Sequence, residues 1–297
     1  VAVIGLGVIG LEIGQSLHRL GIKVTGIDQQ NSISGIQDND VNQVAIDIIG
    51  KEFPLWLGQV AEISKTENGQ LKITAGERSV VVNKIFASIG RRPNIDKLNF
   101  ESTGLRVASN GVPVHNPSTM QIGESNIFLA GDATGERAIL HEAGFEGRVA
   151  GYNAMQQSCI SFKKKTPLAI TFCDPNIVTV GAQLTELDET KIAIGEILLA
   201  PVGRALIIGK NKGLIRLYAD KQSGKLLGAC MISVKGENLA HLLCWSIEME
   251  LTVFDMLRMP FYHPVIEEAM QATLYDLKSK LDHPETDCPV ELQPTDL

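Results

Sequence analysis

The first twelve residues of the chain read as a β-strand, a glycine turn and the start of a helix. The segment is VAVIGLGVIGLE, in which Gly5, Gly7 and Gly10 follow an apolar, β-branched run. In such a turn the first glycine permits a tight bend, and the second lets the backbone approach a pyrophosphate. The third allows close helix-to-strand packing below the positive end of the helix dipole. The pattern predicts a dinucleotide-binding βαβ unit.

A carboxylate follows at the end of the next predicted strand. Residues 22–27 are strand-like and lead to Asp28, close to the roughly twenty-residue spacing expected for an acid that hydrogen-bonds the ribose hydroxyls. Gln29, Gln30 and Asn31 come next, whereas the extra phosphate of NADP would favour an arginine here. The sequence therefore favours NAD. The alternative is an ordinary βαβ unit in which Asp28 caps a helix.

Composition excludes several classes of protein. The 297 residues carry a net charge of −7 and are 44% hydrophobic and 21% charged, which is typical of a globular protein. The acidic balance argues against nucleic-acid binding, because the one basic run, Lys163 to Lys165, is interpreted as a solvated linker. No apolar run reaches the ~18 residues that a membrane-spanning helix needs.

The cysteines predict buried thiols in a reducing compartment, and hence a cytoplasmic protein. Their number is odd, and no pair has the C-x-x-C spacing of a metal or redox site. They are Cys159, Cys173, Cys230, Cys244 and Cys288. His283 lies near Cys288 in a tail that we expect to be unpacked, but two ligands do not make a metal site, and none is predicted.

The order of elements predicts an α/β protein with domains at 1–90, 91–165 and 166–297. We expect helices over 11–20, 41–49, 140–155, 238–250 and 264–281, and strands over 22–27, 80–89, 169–173, 213–219 and 226–233. A β-meander with a turn at Asn68-Gly69 is expected before residue 90, and the lysine-rich stretch before Thr166-Pro167 marks a domain boundary.

A second candidate site lies at the end of an apolar segment. Residues 127–132 read as a strand that ends in Gly131-Asp132. A carboxylate beside a glycine can accept hydrogen bonds from a sugar-like polyol. Taken alone, Asp132 is more commonly a turn residue or a helix cap.

The third candidate site is a histidine before the last predicted helix. Pro264 suits the first helical position and places His263 in an extended conformation with a free imidazole. Glu268, about one turn later, can accept a hydrogen bond from one ring nitrogen, which fixes the tautomer and raises the basicity of the other. Taken alone, such a histidine is more often a cap or an interface residue.

The order of these motifs resembles that of the flavin-dependent pyridine nucleotide-disulfide oxidoreductases, and most closely their dihydrolipoamide dehydrogenase branch. The resemblance runs over nearly the whole chain. The opening glycine turn is similar to the NAD turn of this family, and residues 88–94 (SIGRRPN) resemble its boundary signature after the NAD domain. Residues 127–132 resemble the second flavin motif, and 140–147 resemble a helix that places amides near the flavin ring. Residues 262–268 are similar to the His-Pro-Thr-x-x-Glu motif.

The resemblance implies a fold, a reaction and a set of site residues. The fold is a Rossmann-like NAD domain, the C-terminal part of an FAD domain and an α+β dimerisation domain. The implied reaction converts dihydrolipoamide and NAD to lipoamide and NADH through FAD and a redox disulfide, in a homodimer whose substrate is a small dithiol or a lipoyl domain. His263 is the implied base and Glu268 of the same chain supports it, and the pair acts across the dimer interface. The implied cofactor-binding residues are Gly5, Gly7, Val8, Ile9, Gly10, Asp28, Val60, Gly90, Asp132 and Leu140.

Two departures from the family pattern affect these expectations. Val265 stands where the family has threonine, which leaves the spacing between His263 and Glu268 intact, so we expect a modest effect. No two cysteines lie five positions apart, and the chain starts within a strand at Val1. We therefore expect the first flavin turn and the Cys-x-x-x-x-Cys pair to lie in an N-terminal domain outside this chain, which alone would be catalytically silent.

Other functions stay open from the sequence. Asp28 disfavours the NADP-linked glutathione reductase type, and His263 disfavours mercuric reductase and soluble transhydrogenase, which lack a histidine at that position. A different class of alternative is a non-catalytic module for nucleotide binding and dimerisation.

Overall fold

The computed structural model describes residues 1–282 and 289–292. It contains two compact units. The first combines Val1–Ile89 with the described residues from Thr166 onward, and the second is Gly90–Lys165. The predicted tail residues His283 and Cys288 lie outside the described residues.

The first unit contains twelve strands and six of the seven helices assigned in the described residues. The strands are β1 (Ala2–Ile4), β2 (Thr25–Ile27), β3 (Leu55–Trp56), β4 (Glu62–Lys65), β5 (Leu71–Ala75), β6 (Arg78–Val82), β7 (Ile85–Ala87), β8 (Leu168–Thr171), β9 (Asn176–Gly181), β10 (Ile192–Leu198), β11 (Leu214–Asp220) and β12 (Leu226–Ser233). The helices are α1 (Val8–Arg19), α2 (Asn39–Ile49), α3 (Leu140–Ala154, in the second unit), α4 (Gly203–Ile207), α5 (Gly236–Glu248), α6 (Val253–Leu257) and α7 (Glu267–Lys278).

A parallel sheet carries the opening glycine turn. Its strand order is β3-β2-β1-β7, so β2 and β7 flank β1, with Ile4 opposite Ile27 on one side and Ala87 on the other. The chain leaves β1 toward β2 and later returns on the opposite side as β7. Their carboxyl ends therefore form a topological switch point, where ligands bind in open α/β sheets.

The predicted strand over 80–89 is wrong as a single element. It is divided at Asn83-Lys84 into β6, which pairs with β5, and β7, which pairs with β1. The apolar, β-branched run continues across two strands of different sheets. The predicted meander is confirmed as the antiparallel sheet β4-β5-β6, with Asn68 and Gly69 between β4 and β5.

The C-terminal part of the first unit is built on an antiparallel sheet in the order β10-β11-β12-β9-β8. Helices α5 and α7 pack on this sheet, and α7 lies against β10 and β11. The core between them buries Val178, Ile215, Met231, Leu243 and Leu274. The mixed α/β architecture confirms the predicted fold class.

The second unit contains α3 and a short 3₁₀ turn at Gly131–Thr134. The predicted strand over 127–132 is wrong, because Phe128 makes an isolated antiparallel bridge to Gln121 and the chain then bends into the turn. Asn153 of α3 is buried, and its amide group donates to the carbonyls of Thr119 and Ile160, which joins the helix to the loops beside it.

Across the described residues, the helices are too short or too polar for any of them to cross a lipid bilayer.

Candidate functional site

The glycines of the opening turn are required by their surroundings for different reasons. Gly5 has a φ of +90°, and a Cβ there would lie 2.4 Å from the carbonyl oxygen of Ser88. A Cβ on Gly10 would lie 1.9 Å from the carbonyl oxygen of Gly5. A Cβ on Gly7 would meet none of the described atoms within 4 Å. The first and third glycines thus satisfy protein packing, whereas the second faces open space.

Helix α1 begins directly above this open space. Gly7 is its N-cap, no described side chain hydrogen-bonds this end, and its first turn contains no acidic residue. The first amides of a helix have no carbonyl partner one turn earlier, and they carry the positive end of the helix dipole. Val8 and Ile9, in this first turn, are exposed. The end of the helix therefore offers N–H donors to an anion.

A cleft of about 570 Å³ opens at the carboxyl ends of β1, β2 and β7. Its walls include Gly5, Gly7, Asp28, Val60 and Ser88. The cleft combines an uncapped helix end, a carboxylate and apolar side chains. These groups fit the pyrophosphate, a ribose and a ring of a dinucleotide, in that order.

Asp28 is held by the backbone around the turn. Its Oδ2 accepts a hydrogen bond from the amide of Leu6 at 2.5 Å, and its Oδ1 accepts one from the amide of Gln30 at 2.8 Å. Each carboxylate oxygen has two lone pairs, so the group retains acceptor capacity toward the cleft. The structure thus gives Asp28 a backbone role besides the predicted ribose contact.

Ser88 also contacts the turn, and sequence reasoning did not identify it as a site residue. Its Oγ donates to the carbonyl oxygen of Gly5 at 2.7 Å and lies 3.2 Å from that of Ile4. The signal in the sequence was its position directly after the apolar strand β7, at the start of the segment SIGRRPN.

In the second unit, the 3₁₀ turn displays Asp132. Its half-exposed carboxylate pairs with the guanidinium of Arg91 at 3.2 Å. The amide of Gly131 donates to the buried carboxylate of Glu146 at 2.8 Å, so α3 fixes the backbone of the turn. Arg91 also donates to the carbonyl of Ala138 at 3.0 Å.

Two further predicted cofactor residues lie in this unit. Gly90 has a φ of +103°, which favours glycine, and a Cβ there would meet none of the described atoms within 4 Å. Leu140 is the first residue of α3 and is exposed. Both positions leave backbone accessible to a ligand.

The third predicted site is an imidazole-carboxylate pair. The Nδ1 atom of His263 lies 2.8 Å from Oε1 of Glu268, whose other oxygen accepts from the amide of Val265 at 3.0 Å. Two hydrogen bonds hold the pKa of Glu268 below its ordinary value. The larger effect comes from His263 and the smaller from the Val265 amide. The side chain of His263 is 79% exposed.

The expected start of the last helix at Pro264 is wrong. Helix α7 begins at Glu267, and residues 263–266 form a turn that contains a cis peptide before Pro264. The amide of Val265 donates to the carboxylate of Glu268 instead of to a helical carbonyl, and this hydrogen bond stabilises the turn. The pairing of His263 with Glu268 is nevertheless the one that the spacing predicts.

The pair has the arrangement of a general base. A carboxylate that accepts from Nδ1–H leaves the lone pair on Nε2 of the same ring, and it stabilises the imidazolium that forms when Nε2 takes a proton. An exposed Nε2 is accessible to a proton donor that approaches from outside the unit.

An apolar groove of about 500 Å³ lies beside this pair. It is lined by side chains of α5 and of the segment before α7, and these include Trp245, Met249, Met259, Tyr262 and Val265. Most of them are exposed. Contiguous exposed apolar surface of this kind is typical of an interaction site.

These features are typical of a nucleotide-binding protein with an additional apolar interaction surface, and sequence comparison shows the family. Residues 1–157 match the family model described as pyridine nucleotide-disulphide oxidoreductase, and residues 168–274 match the dimerisation domain of the same proteins. The chain belongs to the pyridine nucleotide-disulphide oxidoreductase family. Members of this family are oxidoreductases that use FAD and NAD(P), which agrees with the predicted cofactors.

Individual relatives agree with this assignment, and one solved structure has the same fold. A dihydrolipoyl dehydrogenase of Rhizobium etli is 25% identical over 92% of the chain and 58% of the relative. A mercuric reductase of Staphylococcus aureus is 27% identical over 86% of the chain and 48% of the relative. The HOCl-induced flavoprotein disulfide reductase RclA of Escherichia coli shares the fold, with a TM-score of 0.79 and 22% identity over 94% of this chain and 64% of that one. The chain thus spans between about half and just under two thirds of the length of these proteins.

Proposed function

We propose that this chain supplies the NAD site, the dimerisation domain and the catalytic base of a flavin-dependent, NAD-linked disulfide oxidoreductase that acts on dihydrolipoamide. The observation that carries the proposal is the contact between His263 and Glu268. An enzyme that oxidises a dithiol through its own redox disulfide needs a base to form the attacking thiolate. The His263-Glu268 pair has the chemistry of such a base. The dihydrolipoyl dehydrogenase among the relatives supports the choice of substrate.

In this proposal His263 removes the proton of a substrate thiol through Nε2. Glu268 holds the ring through Nδ1 and stabilises the positive charge that it acquires. The thiolate then attacks a disulfide that lies outside the 297 residues. FAD and NAD supply the redox chemistry when they are bound, and the residues of this chain bind and orient them.

We assign the predicted cofactor residues to two groups. Those proposed for NAD are Gly5, Gly7, Val8, Ile9, Gly10, Asp28 and Val60, in the cleft and the first turn of α1. Those proposed for FAD are Gly90, Asp132 and Leu140, in the second unit. The domain boundaries that accompany this assignment are 1–90, 91–165 and 166–297.

We also propose that the active protein is a cytoplasmic homodimer. The apolar groove beside His263 is where a second copy would bury Trp245, Met249 and Tyr262. The match of residues 168–274 to a dimerisation domain supports this arrangement. In it, the exposed imidazole of one subunit serves the disulfide of the other.

A second candidate function is reduction of another substrate by the same class of enzyme. The mercuric reductase among the relatives favours Hg(II), and a glutathione-type disulfide is the further alternative. The His263-Glu268 pair favours a dithiol over Hg(II), and Asp28 favours NAD over the NADP of the glutathione type. The remaining alternative is a non-catalytic nucleotide-binding module.

The test is a substrate panel on the full-length protein. We expect turnover of dihydrolipoamide with NAD to exceed that of glutathione disulfide or Hg(II) with NADPH by at least ~100-fold. A faster reaction with glutathione disulfide or Hg(II) would identify the other enzyme types. NADH binding without turnover of any of the three would favour the non-catalytic module.

A further inference from the structure

One peptide group in the opening turn is held at both ends by side chains. The carbonyl oxygen of Gly5 accepts a hydrogen bond from Oγ of Ser88 at 2.7 Å. The amide of the next residue, Leu6, donates to Oδ2 of Asp28 at 2.5 Å. Because a peptide group is planar, fixing its oxygen on one side and its N–H on the other fixes the orientation of the whole plane.

The two side chains reach this peptide from opposite sides of the sheet strand that leads into it. Asp28 directly follows β2, and Ser88 directly follows β7. These strands flank β1, whose carboxyl end continues into Gly5. The topology of the parallel sheet therefore brings one residue from each neighbouring strand to the same peptide group.

Backbone hydrogen bonds hold the residues around this peptide, but only side chains fix the orientation of its plane. The amide of Gly5 donates to the carbonyl of Ile27 at 2.9 Å, and the amide of Ser88 donates to that of Ile4 at 2.8 Å. These contacts need no particular side chain. The hydroxyl of Ser88 is different, because alanine at this position would leave the backbone contacts intact and remove the donor to Gly5.

The orientation of this peptide matters for the ligand. Gly7, the N-cap of α1, follows Leu6 immediately, and the unpaired amides of the first helical turn come next. A tilt of the peptide between Gly5 and Leu6 would change the direction in which these donors point into the cleft. A binding site that is already ordered loses less conformational entropy when the ligand arrives.

We propose that Ser88 is a positioning residue for the nicotinamide dinucleotide. Its hydroxyl holds the Gly5 carbonyl, as Asp28 holds the Leu6 amide, so that the turn presents its amides to the pyrophosphate. The inference rests on the NAD binding in the proposed function and adds a residue and a role to it.

The test compares Ser88→Ala with the unmodified full-length protein. We expect the dissociation constant of NADH and the KM for NAD to rise about threefold to tenfold, which corresponds to one hydrogen bond that orders the site. We expect kcat at saturating NAD to stay unchanged, because the group acts equally on the ground and transition states. ADP-ribose, which contains the pyrophosphate, should lose affinity by the same factor.

Three further variants separate positioning from a general effect on folding. Ser88→Thr keeps the hydroxyl donor and should bind NADH within about twofold of the unmodified protein, whereas Ser88→Cys keeps the volume but donates weakly and should resemble Ser88→Ala. Ser16→Ala is the matched control, because Oγ of Ser16 also donates to a backbone carbonyl, that of Glu12 at 2.7 Å, on an exposed part of α1. It should leave NADH binding unchanged.

The outcomes that contradict the inference differ from those that contradict the proposed function. If Ser88→Ala and Ser88→Cys bind NADH as tightly as the unmodified protein, or only lower the thermal midpoint, Ser88 has no positioning role and the proposed function stands. If Ser88→Thr loses as much affinity as Ser88→Ala, the hydroxyl is not the determinant and the inference fails. If the unmodified protein binds neither NADH nor ADP-ribose, the inference and the proposed function fail together.

Discussion

The guanidinium of Arg216 on β11 lies 2.6 Å from the carboxylate of Asp38, the N-cap of α2, 178 positions earlier in the chain. The two side chains are 10% and 1% exposed. The other oxygen of Asp38 accepts from the hydroxyl of Tyr218 at 2.6 Å. Asp38 also accepts from the amides of Asp40 and Val41, so one buried carboxylate caps a helix of the nucleotide-binding part and joins it to the antiparallel sheet.

The first prediction concerns the stability of this contact. Replacing Arg216 with alanine should lower the free energy of unfolding by about 3 kcal/mol, because the carboxylate of Asp38 stays buried without its cation. Lys225→Ala is the control, since Lys225 and Glu250 form an ion pair between half-exposed side chains, and its loss should cost less than about 1 kcal/mol. Urea unfolding of both variants tests the prediction. Equal losses in the two variants would contradict it.

The second prediction concerns the choice of cofactor. The protein should bind NADH at least ~10-fold more tightly than NADPH, because the 2′-phosphate of NADPH would approach the carboxylate of Asp28. Asp28→Asn should reduce this ratio of affinities. It should also weaken the binding of NADH, since the negative charge of the carboxylate that accepts from the Leu6 amide is lost. Asp47→Asn removes the same charge on the exposed face of α2 and should change neither affinity. Titration of both cofactors measures the ratio, and an unchanged ratio in Asp28→Asn would refute the assignment of this residue.

The third prediction concerns thiol reactivity. The four cysteines within the described residues are free thiols, and burial raises the pKa of Cys173 to about 12. Burial also raises the pKa of Cys230 and that of Cys244. Since the thiolate is the reactive form, N-ethylmaleimide at neutral pH should label the half-buried Cys159 well before Cys173 and Cys230.

Peptide mass spectrometry of the native protein resolves these sites individually. In urea, all of them should react at similar rates. Labelling of Cys230 in the native protein as fast as that of Cys159 would contradict the prediction. It would show that β12 opens readily although Cys230 is buried in the structure.

The sequence predicted those features whose residues lie close together in the chain. The turn from Gly5 to Gly10, the acid at Asp28 and the pairing of His263 with Glu268 each depend on residues within one motif. Spacing predicted the turn and the contact of His263 with Glu268, and the resemblance of the motif order to a known family gave these residues their predicted roles. The helices predicted over 11–20, 41–49, 140–155 and 238–250 begin within three residues of α1, α2, α3 and α5 as observed.

The relationships that depend on tertiary contacts could not be predicted in this way. An apolar run such as 80–89 does not show which sheet each part joins, and only the pairing partners of β6 and β7 separate them. Strands β9 and β10 were not predicted. The contact of Asp38 with Arg216 and that of Ser88 with Gly5 join residues far apart in the chain, so no sequence window contains both partners.

In the proposed function, His263 is the base of a dithiol-disulfide reaction. It is tested by His263→Ala in the full-length protein, with two readings on the same sample: steady-state lipoamide turnover and the rate at which NADH reduces the flavin. His18→Ala, a histidine of α1, is the control and should change neither rate.

Glu268→Gln provides an intermediate case. It keeps a hydrogen-bond acceptor for the ring but removes the charge that stabilises the imidazolium, so lipoamide turnover should fall less than in His263→Ala. We expect His263→Ala to lower lipoamide turnover by about 10²–10⁴-fold and to leave NADH-driven flavin reduction within about twofold of the unmodified protein. Unchanged lipoamide turnover in His263→Ala would show that His263 is not the base.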